Sequence, residues 1–182
     1  MVYNEDNYIR QWINFHNNIG INRFIIYDNS DINDNKSYKS MEMKSDLQNV
    51  LRDFIKSGLV ILIKWSYPKR CTSLDISGQT SQQNHSIWAF KCSKYIGLFD
   101  IDEYINMQTN DKNIYTYFNS LIQNNNININ DIGSFTLNNK FFYNPNNLPT
   151  NGYNFLKIYN CDTLIGGTQR AKNFVIPNNV YT

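Results

Sequence analysis

With 182 residues, a net charge of +2 and 18% charged residues, the chain is long enough for one domain with a real core, about two-thirds of its unfolded surface leaving water at this size. So slight a charge, with no basic stripe, argues against nucleic acid as a partner. No apolar run approaches the roughly 20 residues that span a bilayer, and the acidic start Met1-Val2-Tyr3-Asn4-Glu5-Asp6 is unlike a signal peptide; a soluble, cytoplasmic chain is expected.

Tyr8, Ile9, Trp12, Ile13, His16 and Ile19 recur at three- and four-residue spacing, which predicts an amphipathic helix with Asn4 or Asp6 as cap and Gly20 just past its end. Ile21 to Tyr27 is β-branched and aromatic and runs into the turn-forming Asp28-Asn29-Ser30-Asp31, so a strand is expected to carry Asp28 at its C-terminal end. Asp31, Asn33, Asn35 and Glu42 mimic a calcium-binding loop, but Lys36 stands where that loop needs glycine, and a polar surface loop is the better reading. A second helix fits Asp46 to Ser57, with Leu47, Val50, Leu51, Phe54 and Ile55 on one face and Gly58 as its stop. Leu59 to Trp65 follows as a strand. A third helix, from about Ser81 to Lys94, feeds a third strand from Tyr95 to Ile101.

Helix then strand, three times over, implies parallel strands, and the continuous apolar run Val60-Ile61-Leu62-Ile63 suits a strand covered on both faces. Ligands in such sheets gather outside the carboxyl ends of the strands, where Asp28 and the pair Asp100 and Asp102 are placed. Within Phe99-Asp100-Ile101-Asp102-Glu103-Tyr104, an extended Ile101 would point to the core while both aspartates project to the other face. Two carboxylates converging there call for a hard cation such as Mn²⁺ or Mg²⁺, which takes oxygen ligands and completes its shell with water and phosphate. Beyond Thr109, Ile114 to Ile122 reads as a helix, and Ser134 to Leu137, Phe141 to Tyr143 and Phe155 to Tyr159 as short strands.

Cys71, Cys92 and Cys161 form no C-x-x-C pair, so reduced thiols are expected rather than a zinc knuckle or disulfide framework. His16 and His85 are the only histidines. The first reads as a satisfied core histidine, and the second either contacts a ligand or sits on a helix surface. Arg170 and Lys172 are candidates to reach a diphosphate, with a solvated basic pair as the alternative.

Asn4-Glu5-x-x-Tyr8-Ile9-x-x-Trp12-Ile13-x-Phe15-His16-x-x-Ile19-Gly20, running into Phe24-Ile25-Ile26-Tyr27-Asp28-Asn29-Ser30, resembles the opening of GT-A glycosyltransferases of the family 92 (DUF23) type and their family 2-like relatives. The Phe99-to-Tyr104 stretch is similar to their F-D-x-D-E-[FY] signature, a DXD motif. Gln82 falls where relatives carry a glutamine early in the preceding helix, and Arg170-x-Lys172 before Val175-Ile176-Pro177 resembles a basic segment late in their catalytic domain. The likeness covers residues 4 to 104 well and the remainder thinly.

The resemblance implies an α/β chain of the GT-A, Rossmann-like kind, a mainly parallel sheet flanked by helices, forming one domain over residues 1–182. It implies a nucleotide-diphosphate-sugar donor, a UDP-sugar first among them. Glu5 and Asp28 would line the nucleotide pocket, Asp100 would contact the ribose or a metal-bound water, Asp102 would ligate the metal directly, and Glu103 would support the loop. Only Met1-Val2-Tyr3 precede Asn4, so a full first strand is not expected, and both ends read as abbreviated. The late histidine that serves relatives as a metal ligand has no counterpart, leaving Asp162 or a terminal backbone group to substitute. Asp162 is also the candidate catalytic base, since few carboxylates remain in the second half.

The expectation is a Mn²⁺- or Mg²⁺-dependent, inverting glycosyltransferase of the hexosyltransferase type. It would move a sugar to a hydroxyl of a glycan, protein or lipid-linked acceptor. The alternatives are a catalytically silent GT-A domain that binds nucleotide or glycan or serves assembly, and a nucleotidyltransferase, for which a glycine-rich or basic phosphate cradle is wanting.

Overall fold

The computed structural model describes residues 1–2, 5–30, 45–65, 77–107, 109–139 and 171–180. The chain divides into two compact units, one of residues 1–86 with 100–118, the other of residues 87–99 with 119–182.

In the first unit, helix α1 (Ile9–Asn18) buries Ile9, Ile13 and His16. Its N-cap is Tyr8, with no capping side-chain bond. Asp6, expected as a cap, instead accepts hydrogen bonds from Ser45 Oγ and from the Asp46 backbone N–H, both 2.6 Å. The short carboxylate finds stronger use in fastening a distant stretch than in closing its own helix. Gly20 (φ 99°) follows the helix as expected. Strand β1 (Phe24–Asp28) pairs in parallel with β2 (Val60–Lys64), in a register that sets Asp28 opposite Lys64. Val2 adds a single parallel bridge to Asp28, donating its N–H to the Tyr27 carbonyl.

The helix expected over Asp46–Ser57 is two short ones, α2 (Leu47–Val50) and α3 (Arg52–Lys56). Leu51 interrupts them with non-helical backbone while staying fully buried. Val2, Ile9, Ile13, Phe24, Ile26, Leu47, Leu51 and Val60 form the core, and Ile101 packs against it. Helix α4 (Ser77–Ala89) begins earlier than its pattern suggested, its first turns being polar and without an apolar repeat, and it also ends earlier.

In the second unit, β3 (Ile96–Leu98), β4 (Ser134–Leu137) and β5 (Lys172–Val175) form a sheet of order β3-β5-β4. Both its ladders are antiparallel. The expectation of a mainly parallel sheet therefore holds only for β1 and β2 among the described residues. Local periodicity places β3 as a strand but says nothing of its partner, which comes from near the far end of the chain. Gly97 is needed there: a Cβ would lie 2.7 Å from the Phe99 ring and 2.8 Å from that of Phe174. Helix α5 (Ile114–Asn124) is crossed by the boundary between the units, and α6 (Pro177–Val180) follows β5. Together these elements make a mixed α/β chain.

Candidate functional site

The acidic motif is a turn rather than the end of a strand. β3 stops at Leu98, and the Glu103 N–H donates to the Asp100 carbonyl (3.2 Å) while the Asp100 N–H donates to Glu103 Oε2 (3.0 Å). This corrects the extended geometry expected at Ile101, although Ile101 does face the core. The turn forms because one carboxylate three residues on satisfies a backbone donor at its start, much as a capping box does.

Gln79 of α4 donates from Nε2 to Asp100 Oδ1 at 3.1 Å. Gln79, one turn before Gln82, thus touches the motif, and Gln82 is buried. From α1, Trp12 Nε1 donates to the Glu103 carbonyl at 2.7 Å, and the Ile105 N–H donates to His16 Nε2 at 3.4 Å. His16 is a buried histidine, as read from the helix face, but its ring also binds the chain just after the acidic turn.

Asp102 is felt by its neighbours. The Glu5 carboxyl is pushed above its ordinary range, first by burial and then by the negative charges of Asp102 and Asp6. The Tyr104 phenol is likewise raised, by burial and then by Asp102. Glu5 therefore feels the like charge of Asp102 on top of its own burial.

Asp28 is engaged at its own strand end. Its Oδ1 accepts from the Ser30 N–H at 2.9 Å, and its Oδ2 lies 3.3 Å from Lys64 Nζ. Lys64 also donates to the Ser30 carbonyl. Asp28 and Lys64 line a cleft of about 240 Å³ with Ser45, Asp46, Leu47, Gln48 and Leu62. One wall is the stretch that Asp6 fastens, where Asp46 in turn accepts from the Asn49 N–H to cap α2. Lys64 was missed in the sequence, yet the signal was present: a cation closing an apolar run at the carboxyl end of a strand.

On the other sheet face, the buried Tyr27 hydroxyl and His85 Nδ1 share a hydrogen bond of 2.8 Å. Trp65 closes this aromatic cluster, 5.3 Å from each ring. Burial pushes the Tyr27 phenol up to about 12. His85 is half-buried, with its ring against Tyr27 and Trp65.

Asp100 and Asp102 offer only oxygen donors, the chemistry that a hard divalent cation takes. Among the described residues no group of three or more His, Cys, Asp or Glu is gathered closely enough to hold an ion by itself. Mg²⁺ and Mn²⁺ characteristically take one or two carboxylates and leave the rest of the shell to water and substrate phosphate, so neither ion requires a cluster of three. Lys172 opens β5 in the second unit, paired with Leu137. Asp162, Arg170, the calcium-like segment, Cys71, Cys161 and the strands expected over Phe141–Tyr143 and Phe155–Tyr159 lie outside the described residues. Cys92 is a free, exposed thiol. Among the described residues no helix is long and apolar enough to cross a membrane.

No curated protein and no solved structure matches the chain. The family model described as glycosyltransferase family 92 matches residues 1–181, taking in the opening helix and strand, the cleft residues and the acidic turn. Glycosyl transfer, with binding of a sugar donor and an acceptor, is the activity class that goes with this family. On that match the chain belongs to glycosyltransferase family 92.

Proposed function

We propose that the chain is a metal-dependent glycosyltransferase of the GT-A kind, using a nucleotide-diphosphate sugar, a UDP-sugar first, and transferring with inversion to a hydroxyl acceptor. The observation that carries this reading is the closed acidic turn, in which Gln79 and Glu103 hold Asp100 in place and Asp102 follows two residues on. Asp28 and Lys64 offer an acceptor and a donor side by side at the cleft, suited to the polar edge of a nucleoside. Asp100 and Asp102 would hold Mn²⁺ or Mg²⁺, with Glu5 facing them. When bound, the ion supplies Lewis-acid neutralisation of the departing diphosphate.

Arg170 and Lys172 are proposed to meet the diphosphate as well. Asp162 is the proposed base, taking the acceptor hydroxyl's proton as its oxygen attacks the anomeric carbon and the nucleoside diphosphate leaves from the opposite face. The whole chain, residues 1–182, is read as one catalytic domain.

Titration calorimetry of UDP, GDP and UDP-sugars with and without Mn²⁺ tests this. The expected result is UDP binding that requires the metal and falls at least about tenfold, a loss of some 1.4 kcal/mol, in Asp102→Ala. Absence of metal-dependent nucleotide binding by the wild type would sink the proposal. Where binding occurs, release of free nucleotide diphosphate in the presence of acceptor separates turnover from a silent binding domain.

A further inference from the structure

Trp12 and His16 stand one turn apart on α1, and the polar atoms of both rings reach the stretch that follows the acidic turn. Trp12 Nε1–H donates to the Glu103 carbonyl, and His16 Nε2 accepts from the Ile105 N–H. The tautomer is fixed by the other nitrogen: Nδ1 lies 2.8 Å from the Trp12 carbonyl, which can only accept, so Nδ1 carries the proton and Nε2 is left as an acceptor. Between the two anchored residues, the Tyr104 ring stacks on His16 (5.8 Å, 23°) and meets Phe15 edge-on (5.0 Å, 84°). Glu103, Tyr104 and Ile105 are thus each held by a side chain of one helix. The turn's own closing bonds shape it internally but do not say where it sits; Gln79 and the core packing of Ile101 fix its start, and the contacts from α1 fix its end.

We propose that Trp12 and His16 are positioning residues for the acidic turn, α1 fixing its end, with it where Asp102 stands, and thereby the affinity for the metal-bridged donor. The consequence for donor affinity rests on the function proposed above, whereas the anchoring does not. Leaving either backbone group buried without its partner favours local opening of residues 100–105 over the anchored state.

The test compares the wild type with Trp12→Phe, which keeps a ring and loses the donor; His16→Leu, which keeps bulk and loses the acceptor; and His16→Gln, which retains an acceptor. Amide hydrogen exchange on ligand-free protein reads the segment 100–105 against the β1 and β2 amides as an internal control for folding. Calorimetry reads UDP binding in the presence of Mn²⁺. Trp12→Phe and His16→Leu are expected to speed exchange in 100–105, leave β1 and β2 protected, and weaken Mn²⁺-dependent UDP binding by about tenfold. His16→Gln is expected to recover most of both. Wild-type exchange and binding in both Trp12→Phe and His16→Leu would overturn the proposal, as would a loss of protection spread evenly through β1 and β2. Failure of the wild type to bind UDP with Mn²⁺ would count against the proposed function instead, and the exchange data alone then decide the anchoring.

Discussion

Glu5 holds a carboxylate against its own preference. Its carboxyl is raised above 4.5 by burial and by Asp102, so the folded chain resists ionisation that the unfolded chain accepts freely. Stability therefore falls as pH rises from about 4.5 through the folded value. Glu5→Gln removes that cost. At pH 7 the ligand-free variant is expected to melt above the wild type, the gap closing below pH 4.5, while its Mn²⁺-dependent UDP binding is weaker. His16 runs the other way: burial lowers its value from 6.5, so the stability it lends is complete above that pH and drains as pH falls toward the folded value, where the unfolded chain takes a proton that the buried ring refuses. Urea denaturation of wild type, Glu5→Gln and His16→Gln across pH 4 to 8 resolves the two. A ligand-free Glu5→Gln no more stable than wild type at pH 7 would show that the charge tension is already relieved. Sites of this kind commonly carry such costs, because charges arranged for a ligand conflict without it.

Two glycines end elements of the first unit, and they differ in an instructive way. Gly58 (φ 76°) stops α3 in open space, while a Cβ on Gly20 (φ 99°) would lie 2.4 Å from Asn113 Nδ2. Gly58→Ala is expected to cost the left-handed backbone penalty alone, about 1–2 kcal/mol. Gly20→Ala adds displacement of Asn113, whose Oδ1 accepts from the Tyr115 and Thr116 N–H groups at the start of α5, so roughly another 1 kcal/mol of capping is lost. Urea midpoints would rank them, and equal losses would mean that Asn113 moves aside freely. Both glycines were legible as helix stops, as were α1, β1, β2, α5 and β4, because period and punctuation are local. The start of α4 was not, since Ser77-Gly78-Gln79-Thr80-Ser81-Gln82-Gln83 has no apolar repeat. Nor was the pairing of β3. At the site, Asp28, Asp100 and Asp102 stood out as acids following apolar runs. Trp12 and Gln79 looked like an ordinary helix ring and an ordinary polar residue, because their roles rest on contacts 91 and 21 residues away in sequence.

At the scale of the molecule, the family match spans both compact units, while the cleft and the acidic turn belong to the first. A ligand that binds only the folded chain stabilises it by mass action, about 2.7 kcal/mol at a hundred times its Kd, which in a chain of this size raises Tm by roughly 5–10 °C. If Asp100 and Asp102 grip a cation that in turn grips a diphosphate, neither Mn²⁺ alone nor UDP alone reaches that shift, because each lacks half of the other's contacts. The two together are expected to reach it, Asp102→Ala to abolish it, and Lys64→Ala to reduce it while leaving the need for metal intact, since Lys64 serves the cleft beside Asp28 rather than the ion. A full shift with UDP in the absence of metal would place the diphosphate on cationic side chains instead. A shift that survives Asp102→Ala would move the ion away from the acidic turn, and with it the purpose assigned to the charge tension between Asp102 and Glu5.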